Sequence, residues 1–263
     1  MIRAESAESW ILVTHPDHAR LAGQFADAWG NDEFPRPELF EAIRYAVYHH
    51  DDGWIARDAA PQLTPQGVPE AFTRDLVGAY SAFEEIDLPA YLEVRRKATE
   101  EVASANALAG VLTSMHTVNL LTEQADESTI LPEHRESHAK FVAAQKEWQE
   151  TEISRLDVAP ALVKRGFEFL QCCDSLSLMV CSGFDRPRPL RHNHPDSTGI
   201  ARELICSLVE PNKWQIDPWP CGSDFLHLKL PYRIIPKAEC ESQERYASAF
   251  ARAKVQEAEI TLV

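Results

Sequence analysis

The chain is short of positive charge: Lys and Arg total 26 against 41 Asp and Glu, a formal balance of −15. A nucleic-acid sheath or an anionic membrane surface needs clustered cations, so neither partner is expected. A small phosphorylated substrate is compatible with this balance, because a bound divalent cation inverts the field locally. No apolar run approaches a membrane span. Met1-Ile2-Arg3-Ala4-Glu5 has no basic stretch leading into an apolar core, so no signal peptide is expected. Cys172, Cys173, Cys181, Cys206, Cys221 and Cys240 form neither a CxxC pair nor a regular spacing. A thiolate zinc site is therefore not expected, and the reading is a cytoplasmic protein with reduced thiols. Also absent are GxGxxG, a Walker A loop, a GxSxG elbow and HExxH, together with any repeat or low-complexity tract.

What is present is helical periodicity. From Pro16 to Trp29, the residues His18, Ala22, Phe25 and Trp29 recur at steps of four, three and four. Thr14 is placed to cap that helix, and Pro16 suits its first turn. A second helix starts at Pro37, with Phe40, Ile43, Val47, His50 and Asp51 facing inward and Gly53 at its end. Residues 58–72, with Pro61, Pro65, Gly67 and Pro69, read as a loop that wraps over a cleft. Helical patterns follow over 73–86, 88–123, 136–154 and 159–182, with a polar acidic break over 123–136. After Gly183, prolines crowd segments rich in strand formers, and 204–209, 213–216, 225–235 and 255–263 read as strands. A short helix falls at 242–253. The expected fold is mainly α: a helical body over 1–183 and a small β-rich appendage over 184–263, whose sheet can also recruit Trp10–Val13.

Four residues stand on these apolar helix faces where a hydrophobic side chain belongs: His18, His50, Asp51 and Asp174. Asp174 lies among Val163, Phe167, Leu170, Leu178 and Cys181, where a bare carboxylate is expensive. A divalent metal ion (Mn, Ni, Zn, Mg or Fe) takes neutral imidazoles and carboxylates together, and facing helices of a bundle can bring them to one point. Each residue also has a plainer reading, such as Asp51 orienting the His50 ring. His15, one turn before His18, can line the same cleft or move protons. His49 points away from the His50 face. Asp52 can hold an imidazole by its other nitrogen. His116, in line with Leu108, Leu112 and Leu120, is either a ligand or substrate contact or a core histidine bonded to a neighbour. Among cations for a phosphate, Arg20, Arg44, Arg74, Arg95 and Arg96 are available, and nothing in the sequence says which face inward.

Three segments carry a resemblance: Asp17-His18-Ala19-Arg20-Leu21-Ala22, the run Ala42 to Asp51 followed by Asp52-Gly53-Trp54, and Cys173-Asp174-Ser175-Leu176-Ser177. In this order they resemble the HD superfamily. More narrowly, with Ser114-Met115-His116, they look like an uncharacterised bacterial domain-of-unknown-function family of that type. The resemblance implies an HD-like helical bundle with His18, His50, Asp51 and Asp174 on a metal. It implies metal-dependent hydrolysis of a small phosphorylated or nucleotide-like substrate, with His116, His15 and Asp52 around the reaction and Asp51 bridging if a second ion binds. A diiron oxygenase belongs to the same resemblance and needs further histidines, for which His116, His134 and His138 are the candidates. A third reading is a catalytically degenerate binding module. In that case Trp214, Trp219, Tyr232 and Val263 would form a surface for a second copy, or a lid, unless they simply pack on the bundle.

Overall fold

The computed structural model of the chain describes residues 1–73 and 88–263. The helical pattern expected over 73–86 and the candidate Arg74 therefore fall almost wholly outside the described residues. The chain enters through two strands, β1 (Ile2–Glu5) and β2 (Ser9–Val13), joined as an antiparallel hairpin. Helix α1 (His15–Ala28) follows, with the Thr14 hydroxyl accepting from the Asp17 amide at its start. Then come α2 (Phe40–His49), a 3-10 turn over Asp52–Trp54, and the short α3 (Ile55–Ala59). The stretch 88–123, expected as one helical run, is two helices: α4 (Leu88–Ala105) and α5 (Ala107–Leu121). They part at Asn106, whose extended backbone ends one helix while its side chain caps the next through the Ala109 amide. The long helices α6 (Arg135–Leu156) and α7 (Pro160–Ser182) complete the helical part, and Gly183 in the left-handed region stops α7.

Beyond it run β3 (Arg188–Pro189), β4 (His194–Pro195), β5 (Ala201–Arg202), β6 (Ile205–Glu210), β7 (Lys213–Asp217) and β8 (Leu226–Pro236). Helix α8 (Gln243–Arg252) and β9 (Gln256–Leu262) close the chain. The main sheet has seven strands in the order β1-β2-β8-β9-β7-β6-β3, all antiparallel except β9 on β7. Alternation sets its faces. In β7, Trp214 and Ile216 are buried while Lys213, Gln215 and Asp217 are not.

The fold class differs from the mainly α expectation: this is an α+β fold, and its sheet is no appendage to an HD-like helical bundle. Strands from both ends of the chain share that sheet. One core joins Leu21, Phe25, Ile43, Val47, Leu112, Phe169 and Leu176 from the helices to Ile2, Val13, Trp214, Leu228, Ile260 and Leu262 from the strands. A smaller cluster, with Trp10, Leu12, Ile235, Tyr246 and Phe250, packs α8 on the opposite face. The reason is pairing range. β2, β6, β7, β8 and β9 are legible locally, but β2 bonds β8 across more than 200 residues, which no local pattern announces. Trp214, a candidate for a surface that meets a second copy, is core at 2% exposure. Among the described residues, no helix is long and apolar enough to cross a membrane.

Candidate metal centre

Five side chains from four helical segments converge in the helical layer. His18 comes from the first turns of α1, His50 and Asp51 from the end of α2, His116 from α5 and Asp174 from the middle of α7. That two adjacent residues face one point follows from how α2 ends. The His50 amide still bonds the Ala46 carbonyl at 2.8 Å, but Asp51 leaves the helix at φ −116° and the chain tightens into the 3-10 turn. Gly53 lets that turn lie flat on α4. A Cβ there would sit 2.5 Å from the Val94 carbonyl oxygen and 2.7 Å from the Ala98 nitrogen. The close approach brings Arg95 of α4 onto Asp51.

All five are essentially sealed from water, at 0–3% exposure. The ligand-capable atoms of His18, His50 and Asp174 lie within 4.8 Å of one another, and so do those of His50, Asp51 and His116. His18 Nε2 is 2.8 Å from Asp51 Oδ2, and His50 Nε2 is 3.4 Å from Asp174 Oδ1 and 3.9 Å from Asp51 Oδ2. The rings of His50 and His116 meet edge to face at 5.0 Å between centroids, those of His18 and His50 at 5.3 Å.

Each imidazole is held from behind by one nitrogen, which leaves the other toward the centre. His50 Nδ1 donates to the Val47 carbonyl at 2.9 Å, so its Nε2 carries the lone pair in the neutral ring. His116 Nδ1 meets Gln171 Oε1 at 3.2 Å, while the Gln171 amide donates to Asn119 Oδ1. His18 Nδ1 bonds Ser177 Oγ at 2.9 Å, and that hydroxyl gives its own proton to the Asp174 carbonyl. Histidines on metals are oriented in this way by acceptors behind the ring. One polar atom is left over. His50 Nε2 is buried without a hydrogen-bond partner. It faces Asp174 Oδ1 at 3.4 Å. A cation between them satisfies that nitrogen, so the donor set fits a divalent ion.

The electrostatics follow from burial opposed by neighbours. Burial pushes Asp51 upward, but Arg95, then His50 and His18, hold its carboxyl well below the usual range. Asp174 is likewise held low against burial by His50, His116 and His18. Burial lowers His50, yet the Asp51 and Asp174 carboxylates leave it raised overall. His116 is pushed down by burial to about 3 and is therefore neutral, a donor at any working pH. Arg95 is 5% exposed, donates from Nη1 to Asp51 Oδ1 at 2.6 Å and from Nε to Tyr91 Oη at 3.1 Å, and lies over the Trp54 and Tyr91 rings.

Of the residues expected at the site, His18, His50, Asp51 and Asp174 meet, and His116 joins them as a fifth donor. His15 lies beside them, its ring 6.1 Å from that of His18 and stacked on Trp54 at 4.1 Å. It bonds the buried Asp58 through both its amide and Nδ1, and burial with the nearby terminal ammonium lowers its pKa to about 4. Asp52 is not part of the centre: the turn swings it outward, where it holds His49 Nδ1 at 2.6 Å. His138 bonds the Leu121 carbonyl, and neither it nor His134 joins a metal-capable group among the described residues. Of the arginines, Arg20 pairs with Asp17, Arg44 with Asp27 and Arg96 with Glu93 and Glu100, all toward solvent. Among the described candidates, Arg95 turns inward. Gln171, Ser177, Tyr91 and Asp58 went unassigned in the sequence. Gln171, Asp174 and Ser177 nevertheless form a polar stripe at steps of three on a helix whose neighbours are apolar.

Fold and site together define an α+β protein with a buried three-histidine, two-aspartate candidate metal centre. The chain belongs to the family described as protein of unknown function (DUF3891), whose profile matches residues 1–237. No curated protein and no solved structure matches it.

Proposed function

We propose that the protein is a metal-dependent hydrolase of a small phosphorylated or nucleotide-like substrate. The observation that carries the metal is His50 Nε2, buried without a hydrogen-bond partner and facing the Asp174 carboxylate at 3.4 Å. The phosphoryl substrate rests on the resemblance of the order His18, His50-Asp51, Asp174 to the HD superfamily. Three imidazoles with two carboxylates favour Mn, Fe, Ni or Zn over Mg. A divalent ion held there would supply a Lewis acid and lower the pKa of a bound water.

The chain's own groups do the rest. Val47, Gln171 and Ser177 fix the three ring orientations, while His18 Nε2, which meets Asp51 Oδ2 at 2.8 Å, would give up that hydrogen bond to an ion. Arg95 holds Asp51 by one oxygen and keeps it ionised. His15, neutral and anchored by Asp58, stands at the edge of the centre as the group available to pass a proton.

The test begins with elemental analysis of protein purified without added metal, for wild type and Asp174→Ala. A panel of phosphomonoesters, phosphodiesters and nucleotides, each with Mn, Ni, Zn or Mg supplied, then follows. The expected result is bound metal and metal-dependent turnover in wild type, both lost in the variant. Wild type without metal, or turnover unchanged in the variant, refutes the reading.

A further inference from the structure

We infer that this centre holds a single ion, and that the buried guanidinium of Arg95 occupies the place a second ion would take. The inference rests on the proposed metal centre and deepens it. Two donor groups can be drawn, His18-His50-Asp174 and His50-Asp51-His116, which at first suggests two ions. They share His50, and His50 has one nitrogen to give, because Nδ1 is committed to the Val47 carbonyl at 2.9 Å. One imidazole lone pair binds one ion. The two groups therefore cannot each bind an ion through His50.

Asp51 leads to the same conclusion independently. A carboxylate that bridges two ions needs one oxygen for each. Here Oδ2 faces His18 at 2.8 Å, on the side of the centre, while Oδ1 accepts from Arg95 Nη1 at 2.6 Å. The guanidinium is no passing surface group. It is buried, its Nε is committed to Tyr91 Oη, and it lies over the Trp54 and Tyr91 rings at 5.4 and 5.1 Å. A fixed positive charge there repels a second cation and fills the coordination site on Oδ1. Asp51 thus binds on one side and is anchored on the other, contrary to the bridging role that the sequence suggested.

The experiment counts ions. Chelator-stripped protein is saturated with Mn(II) and desalted, its metal is measured by elemental analysis, and the bound Mn(II) is examined by electron paramagnetic resonance. Wild type is expected to hold one ion per chain with the spectrum of an isolated Mn(II). Two ions per chain with an exchange-coupled spectrum overturn this inference and leave the hydrolase proposal standing; no ion overturns both. Arg95→Met, with folding checked by circular dichroism, is expected to take up a second ion at the same Mn(II) concentration, and Arg95→Lys to stay at one. A folded Arg95→Met that still holds one ion refutes the role given to Arg95. If Arg95→Met does not fold, the wild-type count and spectrum decide.

Discussion

Replacing Asp174 by asparagine separates a metal centre from a buried ion pair, because the two readings give opposite signs. In an ion pair, the raised His50 is protonated and Asp174 is its counter-ion. Removing one partner of such a pair costs about 3–5 kcal/mol. At about 2–4 °C per kcal/mol for a chain of this size, the melting temperature should fall by about 6–20 °C with or without metal. In a metal centre, the ion-free protein holds two buried carboxylates, Asp51 and Asp174, against one buried arginine. Above the His50 pKa, where the ring is neutral, Asp174 is no counter-ion to it, and the new amide can donate to His50 Nε2, which has no hydrogen-bond partner. The ion-free variant should then melt within about 1 kcal/mol of wild type, or above it.

The response to metal inverts this. An ion at a hundred times its dissociation constant stabilises the folded state by about 2.7 kcal/mol, which is about 5–11 °C for wild type. The variant, with one anionic donor gone, should gain none of it. The assay is thermal unfolding of chelator-stripped wild type and Asp174→Asn, each with and without Mn(II), Ni(II) or Zn(II). A variant that loses 6–20 °C without metal, beside a wild type that no ion stabilises, would falsify the metal centre; the interval is the one worked above from the cost of a broken pair.

Three further outcomes follow from the same geometry. Gln171→Leu removes the acceptor behind His116 and should weaken ion binding by about 10–100-fold, read by competition with a chelator; unchanged affinity would remove His116 from the donor set. His50, with its pKa raised above 6.5, must lose a proton to bind an ion. Its protonated form stabilises the ion-free protein below pH 6.5, a contribution lost as pH rises through the folded pKa, so the melting-temperature gap between loaded and stripped protein should widen from about pH 6 to about pH 8. A gap independent of pH would show that His50 is not a ligand. Gly53→Ala drives a Cβ against the Val94 carbonyl and should cost about 1–3 kcal/mol, read in a denaturant titration; a variant as stable as wild type would mean that the turn is not pinned to α4.

The donors were legible because each breaks an apolar face: His18, His50, Asp51, His116 and Asp174 all stand where periodicity calls for a hydrophobic side chain. Most helix spans and four of the five later strands of the main sheet were legible for the same reason, since periodicity is a local signal. Arg95 was not, because it sits in the run Arg95-Arg96-Lys97 on a helix rich in charge, where no face distinguishes the inward arginine from its solvent-facing neighbours. Asp52 misled for a related reason. Its place beside the His50-Asp51 pair suggested support for the centre, but the 3-10 turn that aims Asp51 inward aims Asp52 at His49. The sheet lay beyond local reading, since β1 is four residues long and its role depends on strands more than 200 residues away.

That sheet bears on the chemistry through the two helices that carry the outer donors. Gln24 of α1 exchanges two hydrogen bonds with the Lys229 backbone of β8, at 2.9 and 2.8 Å, and α7 packs against β1. The positions of His18 and Asp174 are therefore set from the sheet as well as from the neighbouring helices. His50, Asp51 and His116 are set instead by helix packing, with Arg95 pulling Asp51 toward α4. A bound ion would tie these two supports together between His50 and Asp174. Local unfolding at either support separates the donors, so ion affinity should report on the integrity of both the sheet and the helical layer. In a purely helical bundle, loss of the β2–β8 pairing would leave the centre untouched. In this fold it moves His18.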